Sequence, residues 1–205
     1  MGDLELKKRY AALYKSGAKS PALVEVPPLR FLMIDGEGPY GADSERFRVS
    51  VQALLTLAYR VKFAAKKEGL TYQVMPLEGL YREAGSAAVD TPVFPSGVDW
   101  RLMVLLPDEV DGELVDEARE RAFAKKGLAR LEDVRVQTFS EGMSVQVLHV
   151  GPYADEPATV GRLLAFASER GLALTGPHHE IHLSDPARTA SDKLKTLLRY
   201  GVRKG

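Results

Sequence analysis

A chain of 205 residues with 45% hydrophobic content can bury a sizeable core, as one large domain or two small ones. Its 28 basic and 28 acidic residues cancel, so no global positive field exists to hold a nucleic-acid backbone, and nucleic acid is not an expected partner. The lack of cysteine excludes disulfides, thiolate zinc sites and thiol nucleophiles. With no apolar run of membrane-spanning length and a charged start, MGDLELKKRY, this predicts a mature cytoplasmic protein without a membrane partner.

In chain order, DLELKKRYAALYKSG predicts a first helix with Leu6, Tyr10, Leu13 and Tyr14 on one side and Gly17 at its end. PPLRFLMIDGEG reads as a strand. From an N-cap at Asp43 or Ser44, Phe47, Val51, Leu54, Ala58, Val61 and Ala65 recur at spacings of three and four, which predicts a long helix ending at Lys66, Lys67 and Gly69. TYQVMPLEGLY is a strand pair or one bent strand, because Pro76 cannot donate to a ladder. DTPVFPSG is a proline-rich loop, DWRLMVLLP a strand, PDEVDGELVDEARERAFAKKG a helix, and VRVQTF and SVQVLHV two further strands. Asp155 or Glu156, followed by Pro157, begins a helix that runs to Arg170 and stops at Gly171.

This order repeats. A strand ending in Gly38-Pro39-Tyr40 precedes one long helix, and a strand ending in Gly151-Pro152-Tyr153 precedes another. Both helices close on Gly-Leu, at Gly69 and at Gly171, and the separation from Gly69 to Glu78 equals that from Gly171 to Glu180. Agreement of triplet, helix, glycine and glutamate predicts an internal duplication in which Glu78 and Glu180 occupy equivalent strand positions.

GPHHEIHLSDPAR, residues 176–188, carries three of the chain's 4 histidines around Glu180. On a strand, His178, Glu180 and His182 share one face, and His179, Ile181 and Leu183 share the other. At roughly 3.3 Å per residue the outer histidines have Cα atoms about 13 Å apart. An ion above Glu180 would sit about 8 Å from each, beyond the roughly 6.5 Å an imidazole spans to its metal, so no metal site is expected from this strand. Ile181 and Leu183 suit packing under helices, which leaves Glu180 and His182 to face a groove shared with Glu78. Aromatic walls over a partly buried carboxylate suit a flat, aromatic or cationic ligand; the alternative is a solvated strand glutamate beside core aromatics.

The segments KKRYAALYKSGAKSPALVEVPPLRFLMIDGEGP, YQVMPLEGLY, WRLMVLLPDEV, HVGPYADEP, HHEIHLSDPAR and KLKTLLR resemble the GyrI-like small-molecule-binding family, in the long stand-alone branch without a DNA-binding domain. The resemblance runs over nearly the whole chain. It implies an α+β fold of duplicated βαββ modules, with antiparallel sheets, helices on one side and a central cleft that binds hydrophobic, aromatic or cationic compounds over an acidic residue. Members of this branch include hydrolases that open the cyclopropane of DNA-alkylating natural products. Carried over, Glu180 matches the family's cleft glutamate, Tyr153 its cleft tyrosine and Trp100 its tryptophan. Where the family usually has tyrosine after HHEI and paired tryptophans after PLEGL, this chain has His182 and Tyr81-Arg82.

The chain is thus expected to form a single domain over 1–205, with the N-terminal helix and first repeat in 1–95 and the second repeat in 96–205. Glu180 and Tyr153 are the candidate catalytic residues, and Trp100, Glu78, His182, Tyr81 and Tyr40 the candidate ligand contacts. Multidrug or toxin binding, for detoxification by sequestration, is the leading function and ring-opening hydrolysis the alternative. An inhibitory protein partner is a third and little-supported possibility. There is no GxSxG or GxxxxGK[ST], and GEG is too short to argue for a nucleotide, so no cofactor is expected.

Overall fold

The computed structural model describes residues 2–41, 43–84 and 97–205. The loop DTPVFPSG lies outside the described residues except for Gly97, as does the boundary at 95/96. The elements are β1 (Gly2–Leu4), α1 (Leu6–Arg9), β2 (Ala22–Val26), β3 (Leu29–Glu37), α2 (Glu45–Lys67), β4 (Leu70–Tyr72), β5 (Leu77–Glu83), β6 (Val98–Leu105), α3 (Gly112–Lys126), β7 (Arg135–Phe139), β8 (Gly142–Val150), α4 (Glu156–Ser168), β9 (Leu172–Leu174), β10 (His178–His182) and β11 (Lys195–Lys204).

A 9-stranded sheet runs β2-β8-β11-β10-β5-β6-β3-β7, with β9 added to β11, and all its pairings are antiparallel. At its centre β5 and β10 lie side by side, with β6 and β3 beyond one and β11 and β8 beyond the other. Strand β6, assigned by sequence to the second half, hydrogen-bonds to β5 and β3.

Helix α2 forms because Ser44 caps it, its side chain accepting from the Phe47 N–H at 3.3 Å, with Glu45 in the first turn and Lys66 and Lys67 in the last. Its apolar stripe divides. Leu54, Ala58, Val61 and Ala65 enter the main core, while Phe47, Val51, Leu55 and Tyr59 border an open cleft. Helix α4, opened by Pro157 in its first turn, packs Val160, Leu163 and Ala167 against Val145, Val147, Leu198 and Tyr200.

Leu198 stands opposite Glu180 in the ladder, so α4 lies on the Glu180 face of the sheet. Trp100 stands opposite Tyr81, which in turn stands opposite His178, and Phe47 meets the Trp100 ring edge-on at 5.2 Å, so α2 lies on that face too. This corrects the expected packing: the helices flank the Glu180 face and leave the cleft between them, and Ile181 points away from them.

The opposite face is covered by the N-terminal segment, and this explains why the expected first helix stops after 4 residues. The carbonyls of Ala12 and Lys15 accept from the Gln146 amide, and that of Leu13 from Arg199, so they are turned into the sheet rather than along a helix axis. Leu13 and Tyr14 are buried as the apolar spacing requires.

Beneath them lies a buried polar chain. Tyr14 donates to Glu78 at 2.6 Å, His179 Nε2 donates to Glu78 at 3.0 Å, His179 Nδ1 donates to Glu141 at 3.1 Å, and Arg199 reaches Glu141 at 3.4 Å. Burial favours the neutral imidazole of His179, but Glu141 and Glu78 outweigh it and hold its pKa up at about 9. A group raised from its usual ~6.5 to that value stabilises the fold fully below pH ~6.5 and loses the contribution as pH rises toward 9. Thermal melts should therefore show stability falling across this window by about 3 kcal/mol. In His179→Gln the slope between pH 8 and 9 should fall severalfold, to the remainder contributed by the raised carboxyl of Glu156; an unchanged slope would contradict the charge assignment.

Candidate functional site

The cleft opens between α2 and α4 above the central pair β5 and β10, with a volume of about 1030 Å³. Register decides which side chains form its floor. Tyr81 faces His178, Gly79 faces Glu180 and Leu77 faces His182, so these residues share the cleft face. Gly79 has a steric reason to lack a side chain: a Cβ there would lie 2.4 Å from the Tyr81 hydroxyl. The Tyr81 ring therefore lies down over the strand beside Glu180, and Tyr40 packs on it at 4.9 Å.

Glu180 is 8% exposed and held from both sides. His178 Nε2 donates to one carboxyl oxygen at 3.1 Å, and His182 Nε2 lies 3.6 Å from the other. Burial pulls this carboxyl's pKa up, but the His178 hydrogen bond and the neighbouring histidines prevail and hold it below the ordinary carboxylate range. Glu180 is thus an ionised group in a largely apolar cleft. His182 also shifts down, for a different reason: burial, opposed by the Glu180 charge, lowers its pKa and favours the neutral imidazole.

Glu156, in the first turn of α4, brings a second carboxyl to the same place. Oxygen atoms of Glu156 and Glu180 and a ring nitrogen of His178 all lie within 4.8 Å of one another. Burial and the Glu180 charge push the Glu156 pKa up to about 8, against a hydrogen bond from Thr196. Its Oε1 is buried and has no hydrogen-bond partner among the described residues, an omission that costs roughly 1–3 kcal/mol. Residues of one strand alone do not close such a cluster, whereas this convergence draws on α4 as well as β10.

Five of the seven residues singled out by sequence meet here: Glu180, His182, Tyr81, Tyr153 and Tyr40 all line the cleft. Tyr153, in a short turn before α4, is 40% exposed and sits edge-on to His182 at 5.9 Å. Burial and the Glu180 and Glu156 charges raise the pKa of its phenol, which keeps the O–H protonated.

Two candidates fall elsewhere. Glu78 faces Ile181 rather than Glu180, and because side chains alternate along a strand, it projects from the opposite face into the Tyr14 and His179 chain. The equal glycine-to-glutamate spacings thus do not place the two glutamates in one groove. Trp100 is 2% exposed and stands behind the wall, supporting Phe47 edge-on, with a small polar depression on its far side.

Sequence reasoning missed Glu156, taken only as a helix start, and His178, whose ring anchors Glu180. The alternation of HHEIH already put His178 beside Glu180, and the GPYADEP turn carried Glu156 next to the cleft tyrosine. Among the described residues no helix is long and apolar enough to cross a membrane.

Residues 106–202 match the profile of the GyrI-like small molecule binding domain. A search of curated proteins finds no match. Among solved structures, an uncharacterized conserved protein from Listeria innocua is 33% identical with a TM-score of 0.86, over 99% of this chain and 100% of that one. A hydrolase from Listeria innocua is 32% identical with a TM-score of 0.82, over 99% and 100% of the two chains. A hydrolase encoded by lin2189 of the same organism is 31% identical with a TM-score of 0.82, over 98% of each chain. With a third of its residues shared over the full length of such relatives and the domain profile matched in its C-terminal half, the chain belongs to the GyrI-like small-molecule-binding family.

Proposed function

We propose that the chain binds hydrophobic, aromatic, cationic small molecules in the cleft and acts in the cytoplasm by sequestering them. One observation carries this reading: an ionised, almost fully buried carboxylate, Glu180, at the floor of a cleft of about 1030 Å³ walled by aromatic and aliphatic side chains. Tyr40 and Phe47 line the cleft where a flat cation would pack, with Tyr81 buried against Tyr40 at 4.9 Å, and Glu180 supplies the counter-charge in a medium where little water screens it. His182 and Tyr153 close the opposite wall.

Fluorescence titration with rhodamine 6G tests it. Glu180→Gln should weaken binding about 10- to 100-fold, the loss of roughly 1.4–3 kcal/mol of charge pairing. Equal affinity at matched thermal stability would contradict the reading.

Hydrolysis of a strained cyclopropane conjugated with a carbonyl is the second reading, supported by the two Listeria innocua hydrolases and by the Tyr153 phenol set across the cleft from Glu180. In it Tyr153 gives a hydrogen bond or proton to the carbonyl oxygen, and Glu180 orients water for attack on the ring carbon. The carbon–carbon bond breaks, its electron pair restores a phenol, and water supplies the new hydroxyl. Given a tenfold excess of a spirocyclopropyl-dienone, a hydrolase converts all of it to the water adduct, and Tyr153→Phe lowers turnover about 10²-fold with little effect on affinity. Return of unchanged substrate beyond one equivalent leaves sequestration as the function.

A further inference from the structure

Glu156 has no part in either reading, yet it occupies the cleft beside Glu180. Its side chain is buried, at 6% exposure, and its Oε1 is unpartnered among the described residues. Two carboxylates this close in an apolar pocket do not both ionise, because each charge raises the cost of the other. The histidines decide which one does: His178 and His182 lie against Glu180, whereas Glu156 receives a hydrogen bond from the neutral Thr196. Glu180 carries the charge and Glu156 keeps a proton while the cleft is empty.

We propose that Glu156 and Glu180 form a two-carboxylate subsite that takes the positive group of an organic cation in exchange for the Glu156 proton. The proposal rests on the binding reading and specifies the ligand's charge. A cation placed against both carboxyls stabilises the second negative charge by the same Coulomb attraction that holds it at Glu180, so the proton leaves as the ligand enters. A neutral ligand of the same shape gives no such compensation, and Glu156 stays protonated.

The groups around Glu156 fit this exchange. Besides Glu180, His178 and His182 from β10, it faces Tyr200 from β11, Tyr81 from β5, Tyr40 before α2 and Tyr153 in its own turn. Burial raises the pKa of all four phenols, so they do not compete for the charge near neutral pH. Lys7, Arg48 and Asp185 line the cleft as well. Glu156 itself titrates at about 8, which leaves it protonated at pH 7 and ready to release.

Isothermal titration calorimetry with tetraphenylphosphonium reads the proton directly. At pH 7 the heats in phosphate and Tris buffers should differ by an amount corresponding to release of close to one proton per ligand. Affinity should rise about tenfold per pH unit below 8 and then level off. Glu156→Gln should release almost none and lose the pH dependence, which separates Glu156 from the histidines as the source. Neutral triphenylphosphine oxide should release none from the wild type. Binding of tetraphenylphosphonium without proton release, or release undiminished in Glu156→Gln, overturns the proposal alone. Absence of any binding overturns it together with the binding reading. The wild-type buffer comparison needs no variant, so a Glu156→Gln that fails to fold does not protect the proposal.

Discussion

Arg199→Ala should lower stability by about 3–5 kcal/mol, because it removes one partner from a buried ionic chain and leaves the others uncompensated. Arg199 is 3% exposed and its guanidinium has three kinds of acceptor. It donates to Gln146 at 3.1 and 3.0 Å, to Glu141 at 3.4 Å and to the Leu13 carbonyl. Alanine leaves the Leu13 carbonyl and the Gln146 oxygen buried without that donor and strips Glu141 of one of its two cations. For a chain of this size the melting temperature should fall by roughly 10–15 °C. The N-terminal segment over 12–15 should also lose amide protection first, since Gln146 of β8 and Arg199 of β11 hold the carbonyls of Ala12, Leu13 and Lys15. A melting temperature within about 2 °C of wild type would show that the chain of polar contacts is not what fastens this segment.

The second large effect is expected at Gly36. A Cβ there would lie 2.1 Å from the Trp100 ring, so the indole, 2% exposed and braced edge-on by Phe47, must shift out of its packed position. Gly36→Ala should cost about 3 kcal/mol, or roughly 6–12 °C. Because Phe47 lines the cleft, the displaced indole should also reduce rhodamine affinity, a coupling between a back-of-wall contact and the site. Gly17→Ala is the control, since a Cβ at that position meets nothing within 4 Å and should leave both properties near wild type. Equal stabilities for the two variants would contradict this packing.

Much of the site was legible in the sequence because it rests on local periodicity. Ser44 and the three- and four-residue spacing predict α2 as it stands, and the alternation of HHEIH places His178, Glu180 and His182 together. What failed depended on distant partners. Glu78 differs from a cleft residue only by one step of cross-strand register, which no spacing within a half of the chain reveals. The first helix was lost to Arg199 and Gln146, far away in sequence, whose side chains claim its carbonyls. Strand β11 escaped notice because it is covered on both faces and so lacks alternation, its run from Thr196 to Val202 being buried throughout. Trp100 has the right strand and the right face, but Phe47 stands between it and the cleft.

If a cationic aromatic ligand sits on Glu180 between the Tyr81 and Tyr153 sides of the cleft, a crystal structure with rhodamine 6G or tetraphenylphosphonium will show it there. Ligand density should fill the cleft with the delocalised positive charge within about 5 Å of the Glu180 carboxylate and the ring of Tyr40 against it. Density bound outside the cleft, or inside it with the cation turned away from Glu180, would rule this placement out.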